Sequence, residues 1–109
     1  MSAEINKKKI QEVSSRLVKV YNPDQVCLFG SYAWGEPTLS SDLNVCIIVN
    51  DADENQAERI RIGLKALQRI RIPVDILVYT WNEIEKNRNH PSSLIYKIFI
   101  NGGKLYEAA

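Results

Sequence analysis

Three short apolar runs, each bounded by residues that break strands, constrain this chain more than any other feature. Gln25-Val26-Cys27-Leu28-Phe29 stops at Gly30, Leu43-Asn44-Val45-Cys46-Ile47-Ile48-Val49 closes on Asn50-Asp51, and Val74-Asp75-Ile76-Leu77-Val78-Tyr79 follows Pro73. Runs this short and this rich in β-branched residues predict buried strands. The first delivers the chain straight into a glycine turn, Gly30-Ser31.

The intervening stretches carry helical spacing. Ile10, Val13, Leu17 and Val20 recur at steps of three, four and three, which predicts one face of an amphipathic helix ending before Asn22-Pro23. Asp53, with Gln56 three residues on, is the expected N-cap of a second helix. Its apolar positions are Ala57, Ile60, Leu64 and Leu67, its end lies near Ile70, and Gly63 weakens it slightly. Thr80 and Glu83 have the spacing of a capping box for a short helix through about Lys86. Ser92 or Ser93 caps another, with a stripe of Leu94, Ile95, Ile98 and Phe99 before Asn101-Gly102-Gly103. Lys104-Leu105-Tyr106-Glu107 is expected as a short edge strand. With no repeat and no long linker, the expectation is a single α/β or α+β domain over residues 1–109.

Composition excludes several function classes. Of the 109 residues, 45% are hydrophobic and 25% charged, as in ordinary globular domains, and no run approaches the roughly 18 apolar residues of a membrane span. The start, Met1-Ser2-Ala3-Glu4-Ile5-Asn6-Lys7-Lys8-Lys9, puts no apolar core behind its lysines, so the expected location is cytoplasmic. Cys27 and Cys46 lie inside strand-like runs without a CxxC partner and read as buried free thiols. A net charge of +1 gives no broad field for nucleic acid. Lys7, Lys8 and Lys9 could form a local patch, but a solvated helix face is the simpler account.

Side-chain direction brings the polar residues together. Residues two apart on a strand share a face, so Asp42 and Asn44 present oxygen donors side by side. If the third strand lies beside the second, Asp75 joins them. Hard oxygen donors of this kind suit Mg²⁺, which keeps water and substrate phosphate in its shell. Gly30 lets backbone N–H groups approach an anion, the Ser31 hydroxyl adds a donor, and a helix start behind them adds a favourable dipole. Taken singly, Gly-Ser is a common turn, Asp42 could cap one, and Asp75 could be a hydrogen-bonded buried acid.

Leu28-Phe29-Gly30-Ser31-Tyr32-Ala33-Trp34-Gly35-Glu36-Pro37, Ser41-Asp42-Leu43-Asn44-Val45 and Val74-Asp75-Ile76-Leu77-Val78 together resemble the minimal nucleotidyltransferase family of the DNA polymerase β superfamily. Its signature is Gly-Ser, ten residues, Asp-x-Asp and a later strand aspartate. The resemblance covers nearly the whole chain and implies a small mixed β-sheet with helices packed on it, like the polymerase β palm. It implies NMP transfer from an NTP, ATP being the expected substrate, to a hydroxyl of a protein or small molecule, with two Mg²⁺ ions. By position, Gly30 and Ser31 would hold the triphosphate, and Asp42, Asn44 and Asp75 the metal, Asp42 and Asp75 being the catalytic carboxylates. Many relatives neutralise a HEPN-type toxin, so the implied partners are that protein class or a second copy of the chain.

Two positions depart from the pattern. Asn44 stands where the second aspartate is expected and keeps one neutral oxygen. Trp34 stands where arginine is usual; it could stack on a base or a partner, or simply pack. The alternative function is therefore a catalytically impaired domain acting as a binding or antitoxin subunit. Elsewhere, His90 reads as part of a surface turn, and Arg59, Arg61, Arg69 and Arg71 as solvated charge. Asp51-Ala52-Asp53-Glu54 reads as helix capping, and Tyr79, Trp81 and Tyr96 as core, rim or partner-facing aromatics.

Overall fold

The computed structural model describes residues 6–38 and 41–109. Residues 1–5 of the lysine-rich start lie outside them. The order is α1 (Lys7–Tyr21), β1 (Gln25–Phe29), α2 (Ser31–Trp34), β2 (Leu43–Val49), α3 (Gln56–Ala66), β3 (Val74–Thr80), α4 (Trp81–Asn87), α5 (Leu94–Asn101) and β4 (Gly103–Glu107). The strands form a mixed four-stranded sheet in the order β3-β2-β1-β4. β1 is antiparallel to both β2 and β4, while β2 and β3 run parallel. A parallel pair needs a crossover, and α3 supplies it. The expected mixed sheet with packed helices is the observed fold, and β4 is the edge strand that its position in the sequence suggested.

Alternation along the strands sorts the core into two layers. Val26, Leu28, Val45, Ile47, Ile76 and Val78 meet Val13 and Leu17 of α1 and Leu67 behind α3. Cys27, Phe29, Cys46 and Ile48 face the other way, onto Ile84 of α4 and Ile95 and Ile98 of α5. β2, buried on both faces, is apolar at every position from Val45 to Val49. No helix among the described residues is long and apolar enough to cross a membrane.

Four helix expectations need correction. Val20 is 42% exposed, because the chain leaves α1 through Asn22 in the left-handed conformation (φ 48°) and Tyr21 instead turns toward α3. α3 is capped by Asn55, whose Oδ1 accepts from the Glu58 N–H at 3.0 Å, and not by Asp53. It ends at Ala66, short of Ile70.

The fourth correction concerns the face α3 buries. Ala57 is exposed and Leu64 is 49% exposed, whereas Arg59 and Gly63 are buried. The cause is the free edge of β3. Gln56 exchanges two hydrogen bonds with the Val78 backbone, donating from Nε2 at 2.9 Å and accepting at Oε1 at 3.0 Å. Arg59 adds a donor to Val78 O at 3.1 Å and another to Glu54 O at 2.7 Å. These bonds satisfy strand groups that would otherwise invite edge pairing, and they rotate the helix away from its apolar stripe. Arg59 is therefore not solvated charge.

Thr80 and Glu83 form the expected capping box. Burial works to raise the Glu83 carboxyl, but the Thr80 N–H and the Arg59 guanidinium at 2.8 Å outweigh it and hold the group below its ordinary value. A depressed folded value contributes stability above about pH 4.5 that is lost as pH falls through it. Melting temperature is expected to drop below pH 4.5, and Glu83→Gln should show a shallower drop in the same thermal scans.

Gly63 has a packing role. A Cβ there would lie 2.8 Å from Ile76 Cδ1 and 2.5 Å from the Tyr21 hydroxyl. Alanine favours an exposed helix by roughly 1 kcal/mol, but overpacking of a tight contact costs about 1–3 kcal/mol. Gly63→Ala is expected to destabilise the domain by about 1 kcal/mol net, read from the urea midpoint.

Candidate functional site

β1 ends at Phe29, and the next residue determines the shape of the site. Gly30 has φ 79° and ψ −157°, a region essentially confined to glycine. A Cβ at Gly30 would also overlap the amide nitrogen of Asn44. Its carbonyl accepts from the N–H groups of Ala33 (2.9 Å) and Trp34 (3.0 Å), which closes α2 as a single turn. The expected helix dipole behind the turn is correspondingly small, since four residues align few peptide units. Ser31 is half-buried, and its hydroxyl has no hydrogen-bond partner among the described residues.

The ladders bring the polar positions side by side. Asn44 pairs with Phe29 of β1 on one side and with Asp75 of β3 on the other. Asp42 lies one residue before β2, whose first residue, Leu43, pairs with Val74 and donates its N–H to Pro73 O at 2.9 Å. Asp42 and Asp75 are exposed, with no ion pair or hydrogen bond to another described residue. Asp75 is thus not a buried acid, because β3 is an edge strand and its start is left uncovered.

Asn44 links the two halves of the site. Its amide nitrogen lies against Gly30, which leaves the carbonyl oxygen on the side away from the glycine. An open cleft of about 430 Å³ is lined by Asn44, Asp75, Phe29 and Leu77 and reaches Ile60 and Leu64 of α3. Gly30, Ser31 and Asp42 are outside that lining. Phe29 and Leu64 went unrecognised as site residues, since an apolar residue at a strand end or on a helix reads as core. Among the described residues, no three His, Cys, Asp or Glu side chains are grouped to hold a metal. The oxygen donors at this end of the sheet are two carboxylates, Asp42 and Asp75, and the neutral amide of Asn44.

The two cysteines behind the site are not activated thiols. Cys27 and Cys46 pair directly across β1 and β2, one pleat behind Phe29 and Asn44. Both are free and buried, and burial pushes both thiols up, leaving them protonated at neutral pH. Trp34 packs on Phe29 with ring centroids 6.3 Å apart. His90 is exposed in a turn, as expected. Trp81 is tied inward by donating its indole N–H to Asp24 at 2.6 Å.

A mixed sheet that sets a glycine-serine turn against oxygen donors on two parallel strands defines a nucleotidyltransferase-type fold. The same fold occurs in the crystal structure of a Sulfolobus solfataricus protein assigned to the nucleotidyltransferases. The match has a TM-score of 0.64 at 20% identity, covering 92% of this chain and 78% of that one. The family model described as nucleotidyltransferase domain matches residues 7–103, and the chain belongs to that family. Nucleotidyl transfer is the general activity of that class. A search of curated proteins finds no match.

Gly30→Ala tests the interlock of turn and strand. Both the backbone conformation and the Asn44 amide oppose a Cβ, so a loss of about 2 kcal/mol in stability is expected in urea denaturation.

Proposed function

We propose that this domain binds a Mg²⁺-loaded nucleoside triphosphate, ATP, and transfers AMP to a hydroxyl of a protein or small molecule, as a minimal nucleotidyltransferase. The observation that carries the proposal is the register that sets Asn44 opposite Asp75 while the Asn44 amide rests on Gly30. Gly30 and Ser31 would hold the triphosphate, the glycine by admitting phosphate close to the backbone and the serine through a hydroxyl that has no hydrogen-bond partner among the described residues. Asp42, Asn44 and Asp75 would hold the metal, which when bound supplies charge to neutralise the phosphates and lower the pKa of the acceptor hydroxyl.

The acceptor oxygen forms a bond to the α-phosphorus as the bond to pyrophosphate breaks, and the acceptor proton passes to solvent. Asp75, exposed and without a partner among the described residues, is the carboxylate that would orient the acceptor, and Asp42 the one that would face the phosphates. With two carboxylates and one amide, the donor set carries one charge fewer than three acids. Two divalent ions about 4 Å apart repel strongly, so turnover should be far below that of a three-acid site.

Transfer of label from α-labelled ATP is the test, measured with and without Mg²⁺. Asn44→Asp is expected to raise the rate by at least about tenfold. ATP bound by neither form would sink the proposal.

One observation favours a second reading. Because the Asn44 amide nitrogen fills the niche over Gly30, the asparagine serves the shape of the turn without a metal. In that reading the domain is an impaired nucleotidyltransferase, acting as a binding or antitoxin subunit for a HEPN-type protein or for a second copy of itself. A stable complex on co-expression with the protein of the adjacent reading frame, unchanged by Asn44→Asp, would favour it.

A further inference from the structure

The cleft lining contains no lysine or arginine, and the nearest turn, Gly30-Ser31, carries no charge. A nucleoside triphosphate brings several negative charges into a site that already holds Asp42 and Asp75. α5 offers a cation from the other side of the chain. The Lys97 ammonium lies over the Trp34 ring, 5.3 Å from its centroid.

Three features make this contact more than surface packing. First, Trp34 is three residues beyond Ser31 in α2, so their side chains emerge on the same side of the turn, with Cβ atoms about 5–6 Å apart in helical geometry. Second, the ring is backed by Phe29, the β1 partner of Asn44, which ties the platform to the strand at the centre of the site. Third, Lys97 has no acidic partner among the described residues. Arg88, which lies over Phe99, and Lys104 are paired with Glu85 and Glu107. An aromatic face attracts an ammonium without neutralising it, so the charge remains available to an anion.

We propose that Lys97 is the cation that meets the polyphosphate of the bound nucleotide, with Trp34 as the residue that positions it; this rests on the nucleotide-binding reading of the same site. A flexible four-carbon stem lets the ammonium move from the indole onto a phosphate oxygen beside Ser31. The contact selects nucleotides with a polyphosphate chain over monophosphates, because only the longer chain extends past Ser31 toward Trp34.

The experiment is calorimetric titration of ATP and of AMP, with Mg²⁺ and at low salt, into the wild-type chain and into Lys97→Gln, Lys97→Arg and Trp34→Leu. Lys97→Gln is expected to weaken ATP about tenfold while AMP changes less than about twofold, as for loss of one charge-assisted contact. Lys97→Arg should keep most of the ATP affinity, and Trp34→Leu should lose roughly threefold by freeing the lysine. Lys97 is exposed and its substitution leaves the core intact. ATP affinity unchanged in Lys97→Gln overturns the assignment, as does an equal loss for ATP and AMP. Absence of ATP binding in the wild-type chain overturns the nucleotide-binding reading and this one together, a result distinct from the first two.

Discussion

Between Val45 and Val49 every side chain is buried, and both edges of β2 are hydrogen-bonded, antiparallel to β1 and parallel to β3. The other elements take their places from this strand. α1 and α3 cover one face of the sheet and α4 and α5 the other, because the alternating side chains of β2 need apolar cover on both. At its N-terminal end the cover stops, and Asn44 is left half-buried between Gly30, Phe29 and Asp75. The candidate site is the uncovered end of the most buried strand.

The free edges of the sheet account for features that would otherwise look incidental. β3 is shielded by Gln56 and Arg59, which bond to the Val78 backbone much as a further strand would. β4 carries an irregular register opposite Val26 and Cys27 and bears an exposed lysine and glutamate. Both devices discourage edge-to-edge association. Shielding β3 also draws Arg59 onto Glu83 at the base of α4, so the crossover helix and the helix after the strand are held by one guanidinium. Only the start of β3 is uncovered, and Asp75 is there.

Much of the fold was legible because local signals agreed with tertiary demand. β1 and β2 begin and end where their apolar runs do, and the Thr80–Glu83 box and the Ser93 cap act at the positions their spacing suggests. α3 was misread for a physical reason. A buried arginine and a buried glycine contradict an apolar-face pattern, yet both answer to groups distant in the chain: the Val78 carbonyl, the Tyr21 hydroxyl and the Ile76 side chain. For Asp75 the buried-acid alternative is excluded for a similar reason, since apolar neighbours along a strand imply burial but reveal nothing about whether that strand is an edge.

By itself, the sequence determined the strands, the glycine turn, the caps at Thr80 and Ser93 and the supply of oxygen donors, because propensity, steric freedom and side-chain chemistry act over a few neighbouring residues. Only the tertiary structure decided that Asn44 stands opposite Asp75, that its amide seals the space above Gly30, and that Lys97 meets Trp34. A parallel register across a helical crossover, and a contact between helices on opposite sides of the sequence, depend on the packing of the whole core, which no local pattern encodes.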